Sequence, residues 1–290
     1  MHEVTAQQLG FAGMPARLFV CTPTRLTTWL DCPRRYRFAY LDRPTPPKGP
    51  PWAHNSVGAS VHTALAEWYR LGPGERTAAR AGELVNRAWL TDGFRDVEQS
   101  DRWRARSREM VERYVATVDP HDDPVGIERT VATKTDVLAL SGRVDRLDLR
   151  TVDGVEQLVV VDYKTGRHVL TSSDARSSLA LALYALAAAR VLRKPCVRVE
   201  LHHLPSGEVA GHDHTDETLQ RHLGRAESIA AEAAAADAAY RAGLADEALD
   251  QVFPPTVSSS CRWCDFSRHC PQGRSAFPAA ASLAALAEPD

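Results

Sequence analysis

At 290 residues, 44% of them hydrophobic, the chain is longer than a minimal domain, shorter than two full ones, and able to bury a sizeable core. Its 35 basic and 37 acidic residues leave a net charge of −2, which excludes a uniformly basic nucleic-acid wrapper and leaves any contact with a polyanion to local patches. No window approaches the ~20 consecutive apolar residues of a membrane helix, and Met1 to Gly10 lacks the basic-then-apolar order of a secretory leader, so a cytoplasmic location is expected.

Residues 1–21 are weakly patterned and expected to be loosely held. From Thr24, an N-cap candidate, to Leu41, with Trp29, Phe38 and Tyr40 at apolar positions, the pattern predicts one helix. Pro44, Pro46, Pro47, Pro50 and Pro51 make 42–56 a loop. A helix follows over 57–71, Gly72-Pro73-Gly74 breaks it, and helices near 78–91 and 101–118 complete a helical insert at about 72–120. Residues 127–163 read as three strands, divided at Gly142 and at the turn signal Asp153-Gly154. A strongly amphipathic helix over 177–192, a strand over 197–204, an alanine-rich helix over 215–242 and a low-complexity tail from 275 to 290 complete the chain. This order predicts an α/β fold with a central mixed sheet flanked by helices, and no internal repeat is visible.

The chemistry concentrates in Ser141-Gly142-Arg143-Val144-Asp145-Arg146-Leu147-Asp148 and Val159-Val160-Val161-Asp162-Tyr163-Lys164-Thr165-Gly166. Side chains on a strand alternate faces, so Asp162 and Lys164 share one face and Tyr163 takes the other. Alone, Asp162 and Lys164 read as a strand-end ion pair. Joined to Asp145 on a neighbouring strand, they read as a divalent-metal site suited to phosphodiester hydrolysis, with the Tyr163 carbonyl as a further oxygen and Lys164 orienting the attacking water. On periodicity His62 is a packed or solvated helix residue; as a ligand it would complete the site and favour manganese-like metals. Glu128 reads equally as a nearby acid or a surface residue, and Asp148 as the partner of Arg146. Tyr184 is either core or a hydroxyl aimed at phosphate.

Six cysteines in a reducing compartment argue against a disulfide framework. Cys261, Cys264 and Cys270 form C-x2-C-x5-C, and Cys32 could join them from the other end of the chain. The spacing fits zinc ribbons poorly and leaves zinc and [4Fe-4S] equally open. Cys21 and Cys196 read as buried thiols. The runs Arg34-Arg35-Tyr36-Arg37 and Arg102-Trp103-Arg104 mix guanidinium with aromatic groups, which suits single-strand contact through Arg34, Arg35, Arg37, Arg102 and Arg104 as well as it suits solvated helix faces.

Taken together, Cys32-Pro33-Arg34-Arg35-Tyr36, Gly58…His62, Gly142-Arg143-Val144-Asp145-Arg146, Asp162-Tyr163-Lys164-Thr165-Gly166, Tyr184 and Cys261/Cys264/Cys270-Pro271 resemble the RecB nuclease family of the PD-(D/E)XK superfamily. The resemblance is especially to its iron–sulfur branch, which includes the AddB nuclease domain and the CRISPR-adaptation exonucleases. It spans about residues 22–272, and the order and spacing of the motifs carry it.

What it implies is one domain over 22–274, with a restriction-endonuclease-like core at about 125–205 and a cluster segment at 255–274. The implied activity is Mg2+- or Mn2+-dependent exonucleolytic cleavage of DNA, usually at single-stranded ends, in DNA repair or recombination. It assigns His62, Asp145, Asp162, Lys164 and Tyr184 to the active site. It makes Cys32, Cys261, Cys264 and Cys270 the ligands of a [4Fe-4S] cluster that joins the two ends of the chain and takes no part in the chemistry. The family helix reads Gln-x-x-x-Tyr, whereas Ala180 stands four residues before Tyr184. Residues four apart share a helix face, so the lost amide would have faced the same cleft, and weakened or altered activity is expected. With no G-x-x-x-x-G-K-[ST] loop in the sequence, the chain would act alone or with a separate helicase. A non-catalytic DNA-binding module is the rival reading.

Overall fold

Pro33 divides what apolar spacing alone makes one helix. The computed structural model describes residues 18–278 and places α1 at Pro23–Asp31 and α2 at Pro33–Tyr40. Between them Cys32 is extended (φ −166°, ψ 110°), ending α1 and capping α2. Proline disfavours helical backbone in the residue before it, so the single predicted helix is corrected to two. The N-cap is Thr22, not Thr24: its hydroxyl accepts the Arg25 N–H at 3.1 Å. Of the predicted loose N-terminus, 1–17 lies outside the described residues and Phe19–Cys21 forms β1; of the predicted tail, 279–290 lies outside them.

The remaining elements are α3 (Ala53–Arg70), α4 (Ala78–Ala88), α5 (Val97–Val115), β2 (Gly126–Lys134), β3 (Leu138–Val152), β4 (Val155–Lys164), α6 (Ser172–Ser177), α7 (Leu179–Leu192), β5 (Cys196–His203), β6 (Glu208–Asp213), α8 (Asp216–Arg241), α9 (Asp246–Val252) and α10 (Pro271–Ala276). Among the described residues the sheet runs β1-β3-β4-β5-β6, with β2 also paired to β3. β1–β3 and β4–β5 are parallel and the other pairs antiparallel, giving the mixed sheet expected. The β3–β4 hairpin turns on Asp153 (φ 51°) and Gly154 (φ 79°), both in the positive-φ region that a tight primed turn demands. The sequence pattern missed the short β1, α6, β6, α9 and α10, and the strand break expected at Gly142 falls instead at 135–137, Gly142 lying within β3.

Helices cover both sheet faces. Leu158 and Val160 of β4 join the cluster with α1, α7 and α8, while Val159, Val161 and Tyr163 join the one with α3, α4 and α5. The expected amphipathic helix is corrected too: α7 buries Leu179, Leu181, Ala182, Leu183, Ala185, Ala187 and Ala188, apolar nearly all round as an enclosed helix should be. Under α3–α5 lies a buried polar hub. The Arg146 guanidinium donates to the hydroxyls of Tyr69, Tyr114 (3.1 Å) and Tyr163 (3.2 Å), and pairs with Asp148 at 2.8 Å. His202 carries the network onward, 2.8 Å from Tyr114 and 3.0 Å from Glu200.

Candidate active site

The two halves of the predicted site come together at the C-terminal end of β4. Strand alternation puts Tyr163 among the buried tyrosines and turns Asp162 and Lys164 to the other face, where Nζ lies 2.5 Å from Asp162 Oδ2. Among the described residues, the Lys164 ammonium is the sole partner of this buried oxygen. Burial pushes the Asp162 carboxyl up; Lys164 opposes this and Asp145 reinforces it. A buried carboxylate oxygen costs free energy unless a cation or proton meets it.

On β2 and β3 the alternation breaks at one level. Val131 and Val144 face α7, whereas Ile127 packs and Arg146 points under α3–α5. Between these pairs Glu128 (φ 48°) and Asp145 stand opposite each other in register, flanked by the pairs Ile127↔Arg146 and Arg129↔Val144. A non-glycine residue at positive φ marks strain that is held where function needs it. Like charges across a strand pair repel, and here a histidine stands over both. His62, on α3, brings Nδ1 to 3.3 Å from Asp145 Oδ1, while Nε2 lies 3.1 Å from the Tyr163 carbonyl. Among the described residues, His62, Glu128 and Asp145 are the one group of three whose possible ligand atoms lie within 4.8 Å of one another.

This arrangement fits a hard divalent cation with one imidazole ligand. With Nε2–H donating to the Tyr163 oxygen, the Nδ1 lone pair is free to ligate, the usual way a backbone carbonyl orients a metal-binding histidine. The Tyr163 carbonyl, expected as a metal ligand, also holds His62 in place, and its second lone pair is left over for a cation. Burial disfavours the charged imidazole, but the hydrogen bond and charge of Asp145, with Asp162 and Glu128, raise its pKa overall. Glu128 is the residue sequence reasoning undervalued. Its carboxyl is raised by burial, with Arg143 at 2.7 Å opposing and Asp145 adding to the shift. The one available signal was an acid within a strand-like segment beside the Asp145 strand. A cavity of about 440 Å3, also lined by Arg70 and Arg143, opens over the three.

Tyr184 reaches the same place from α7, its pKa raised by burial and then by Asp162 and Asp145. It does so because residue 142 has no side chain: a Cβ there would stand 2.4 Å from the Tyr184 ring and 3.1 Å from its hydroxyl. Gly142→Ala is therefore expected to displace the ring, lowering stability by about 1–3 kcal/mol and catalytic rate severalfold. A thermal melt with the cleavage rate checks it, and an unaltered rate would remove Tyr184 from the site.

The four cysteines line one cavity of about 40 Å3. Cys32 Sγ accepts the N–H groups of Arg35 and Thr256 (3.4 Å each), joining α2 to the C-terminal segment. A Cβ on Gly273 would approach Cys261 Sγ to 3.2 Å and Cys270 Sγ to 3.4 Å, so the bare glycine keeps space beside the sulfurs. Cys21 and Cys196 are buried as expected, and burial raises their thiols to about 11 and about 12.

The first basic run is corrected at Arg34, which is 6% exposed and pairs with Asp250 at 2.8 Å, so that it secures α9 instead of facing solvent. Arg37 pairs with Asp42 at 3.2 Å, and Arg35 lines the cysteine cavity. Arg104 pairs with Asp101 at 3.0 Å, and Arg102 is exposed on α5.

The crystal structure of SSO0001 is similar over 90% of both chains, at 11% identity and a TM-score of 0.39. A candidate exonuclease from Eubacterium rectale aligns with 60% of this chain and 81% of its own, at 10% identity and a TM-score of 0.29. Comparison with curated proteins gave no match. The profile of the PD-(D/E)XK nuclease superfamily matches residues 20–271, taking in β1, the acid-bearing strands and the cysteine segment. On that match the chain belongs to the PD-(D/E)XK nuclease superfamily.

Proposed function

We propose that this chain is a divalent-metal-dependent deoxyribonuclease of the RecB branch, removing nucleotides from DNA ends with a preference for single strands, in repair or recombination. The observation that carries the reading is the meeting of Glu128, Asp145 and His62 beside the ion pair of Asp162 and Lys164. Asp145, Asp162, Glu128 and the His62 Nδ1 would hold Mg2+ or Mn2+, and the imidazole favours Mn2+. The bound cation would lower the pKa of a coordinated water and neutralise phosphate oxygens. Lys164, 45% exposed at the strand end, reaches past Asp162 to orient that water and to offset charge on the phosphate. Tyr184 presents its hydroxyl from the facing helix as a donor to the same phosphate. Arg70 and Arg143, at the rim, draw the polyanion in.

The preference for a polynuclear cluster over zinc rests on the resemblance to the iron–sulfur branch, and the four cysteines that would hold it line one cavity. Cys32, Cys261, Cys264 and Cys270 would hold the [4Fe-4S] group as a tie between the two ends of the domain. Protein purified anaerobically is expected to carry four irons and four sulfides per chain; one zinc instead would reverse this assignment.

The decisive assay is release of nucleotides from end-labelled single-stranded DNA with Mn2+, Mg2+ or EDTA. Metal-dependent release supports the reading and gives the polarity. One observation favours a binding module instead: Ala180 leaves no amide one turn before Tyr184. Folded, cluster-loaded protein that cuts nothing would move the assignment there, and Ala180→Gln would be the first substitution to restore cleavage.

A further inference from the structure

We infer that the hollow between the first turns of α3, the middle of α5 and the loop after β4 is an anion site that grips a second phosphate of the substrate strand. This rests on the reading of the chain as a DNA nuclease. The hollow has a volume of about 300 Å3 and is lined by Trp103, Arg106, Ser107, Arg113, Thr165 and Arg167. It joins a wider space of about 640 Å3 bounded by His54, Gly58 and Trp263. Gly58 also lines the catalytic cavity, and Thr165 follows Lys164 directly. A strand seated at the metal ligands can therefore continue into this hollow without leaving the surface.

Two independent observations point to an anion. First, Trp103 Nε1, Arg106 Nη1, Ser107 Oγ and, from the facing wall, His54 Nδ1 are buried with no hydrogen-bond partner. Buried polar atoms are nearly always paired, and three donors with an imidazole nitrogen across from them describe a recognition surface for an acceptor. Second, Arg106, Arg113 and Arg167 form no ion pair with any described residue, and Glu109 is the one acid lining the hollow. Their neighbours on α5 behave differently: Arg104 pairs with Asp101 at 3.0 Å and Arg108 with Glu112 at 3.0 Å. The Arg106 guanidinium is fixed over the Trp103 ring, 5.3 Å from its centroid. Guanidinium, indole N–H and hydroxyl all donate, and a phosphate supplies the oxygens that match them.

That phosphate is either internal to the strand or its terminal 5′-phosphate, and the test separates the two. Binding of 3′-labelled single-stranded DNA, with a 5′-phosphate or a 5′-hydroxyl, is measured by fluorescence anisotropy in EDTA, where no cleavage occurs. The proteins are wild type, Arg106→Gln, Trp103→Phe, Ser107→Ala and Asp162→Asn, each checked by thermal melt. Arg106→Gln is expected to weaken binding roughly tenfold or more and to reduce the salt slope by about 0.7. Trp103→Phe, which keeps the ring and its packing but removes the donor, is expected to weaken binding severalfold, whereas Asp162→Asn, which removes a negative charge beside the strand in the absence of metal, is expected to bind more tightly than wild type. If removing the 5′-phosphate from the DNA reproduces the Arg106→Gln loss, the site holds the terminal phosphate; equal binding of both DNAs by wild type makes it internal. Wild-type affinity and salt slope in folded Arg106→Gln and Trp103→Phe overturn the inference even if the enzyme cuts DNA. Loss of binding in those variants, beside a wild type that never cuts, keeps the site and removes the nuclease reading.

Discussion

Asp162→Asn is expected to lower the rate of DNA hydrolysis on the order of 10^3-fold while leaving the fold intact, because it removes a negative ligand without changing shape. The substitution gives up the ion pair of Oδ2 with Lys164, which is worth little because the lysine is half exposed, and it relieves Asp145 of a like-charged neighbour. Melting temperature should therefore hold or rise slightly, as happens where a site sacrifices stability for function. Metal-dependent cleavage and a thermal melt on one preparation test this together. Activity within tenfold of wild type would remove Asp162 from the metal site; a large fall in melting temperature would make its role structural.

Arg146→Met carries the largest expected effect on stability. The guanidinium is 5% exposed and serves three tyrosine hydroxyls and Asp148. Methionine restores part of the volume but leaves three phenols short of a donor, and Asp148 keeps Arg150, at 2.9 Å, as its remaining partner. Breaking a buried pair in this way costs about 3–5 kcal/mol, a drop of roughly 6–15 °C in melting temperature for a chain of this size. Arg80→Ala is the control: its pair with Glu83, at 2.6 Å, is exposed, and its loss should move stability by no more than about 0.5 kcal/mol. A shift of under about 2 °C for Arg146→Met would mean that water replaces the guanidinium and the hub adds little.

Tyr163 ties the two predictions together. Its ring and hydroxyl belong to the Arg146 hub, while its backbone N–H donates to Asp145 Oδ2 at 2.9 Å and its carbonyl orients His62. Loss of Arg146 is thus expected to loosen the site from beneath, and residual activity should fall with temperature faster than in wild type.

Much of this was readable from local pattern. The turn at Asp153-Gly154 and the shared face of Asp162 and Lys164 follow from short-range rules, because two-residue turns and strand alternation depend on neighbours within four positions. The break at Cys32 was written just as locally in Pro33, yet apolar spacing hid it. α7 misled for a different reason. Its apolar residues were counted as one face, but whether a helix is covered on one side or nearly all round depends on what packs against it.

By itself, then, the sequence determined the α/β order, the mixed sheet, the two acid-bearing strands and the lysine beside the second acid, all set by periodicity and turn chemistry. Only the tertiary structure decided that Glu128 faces Asp145, that Arg34 is committed to Asp250, and that Arg106, Arg113 and Arg167 surround one hollow with Trp103 and Ser107. These depend on a break in strand alternation and on packing between segments far apart in the chain. No local rule encodes them, because the free energy that fixes such positions comes from groups that meet only once the chain has folded.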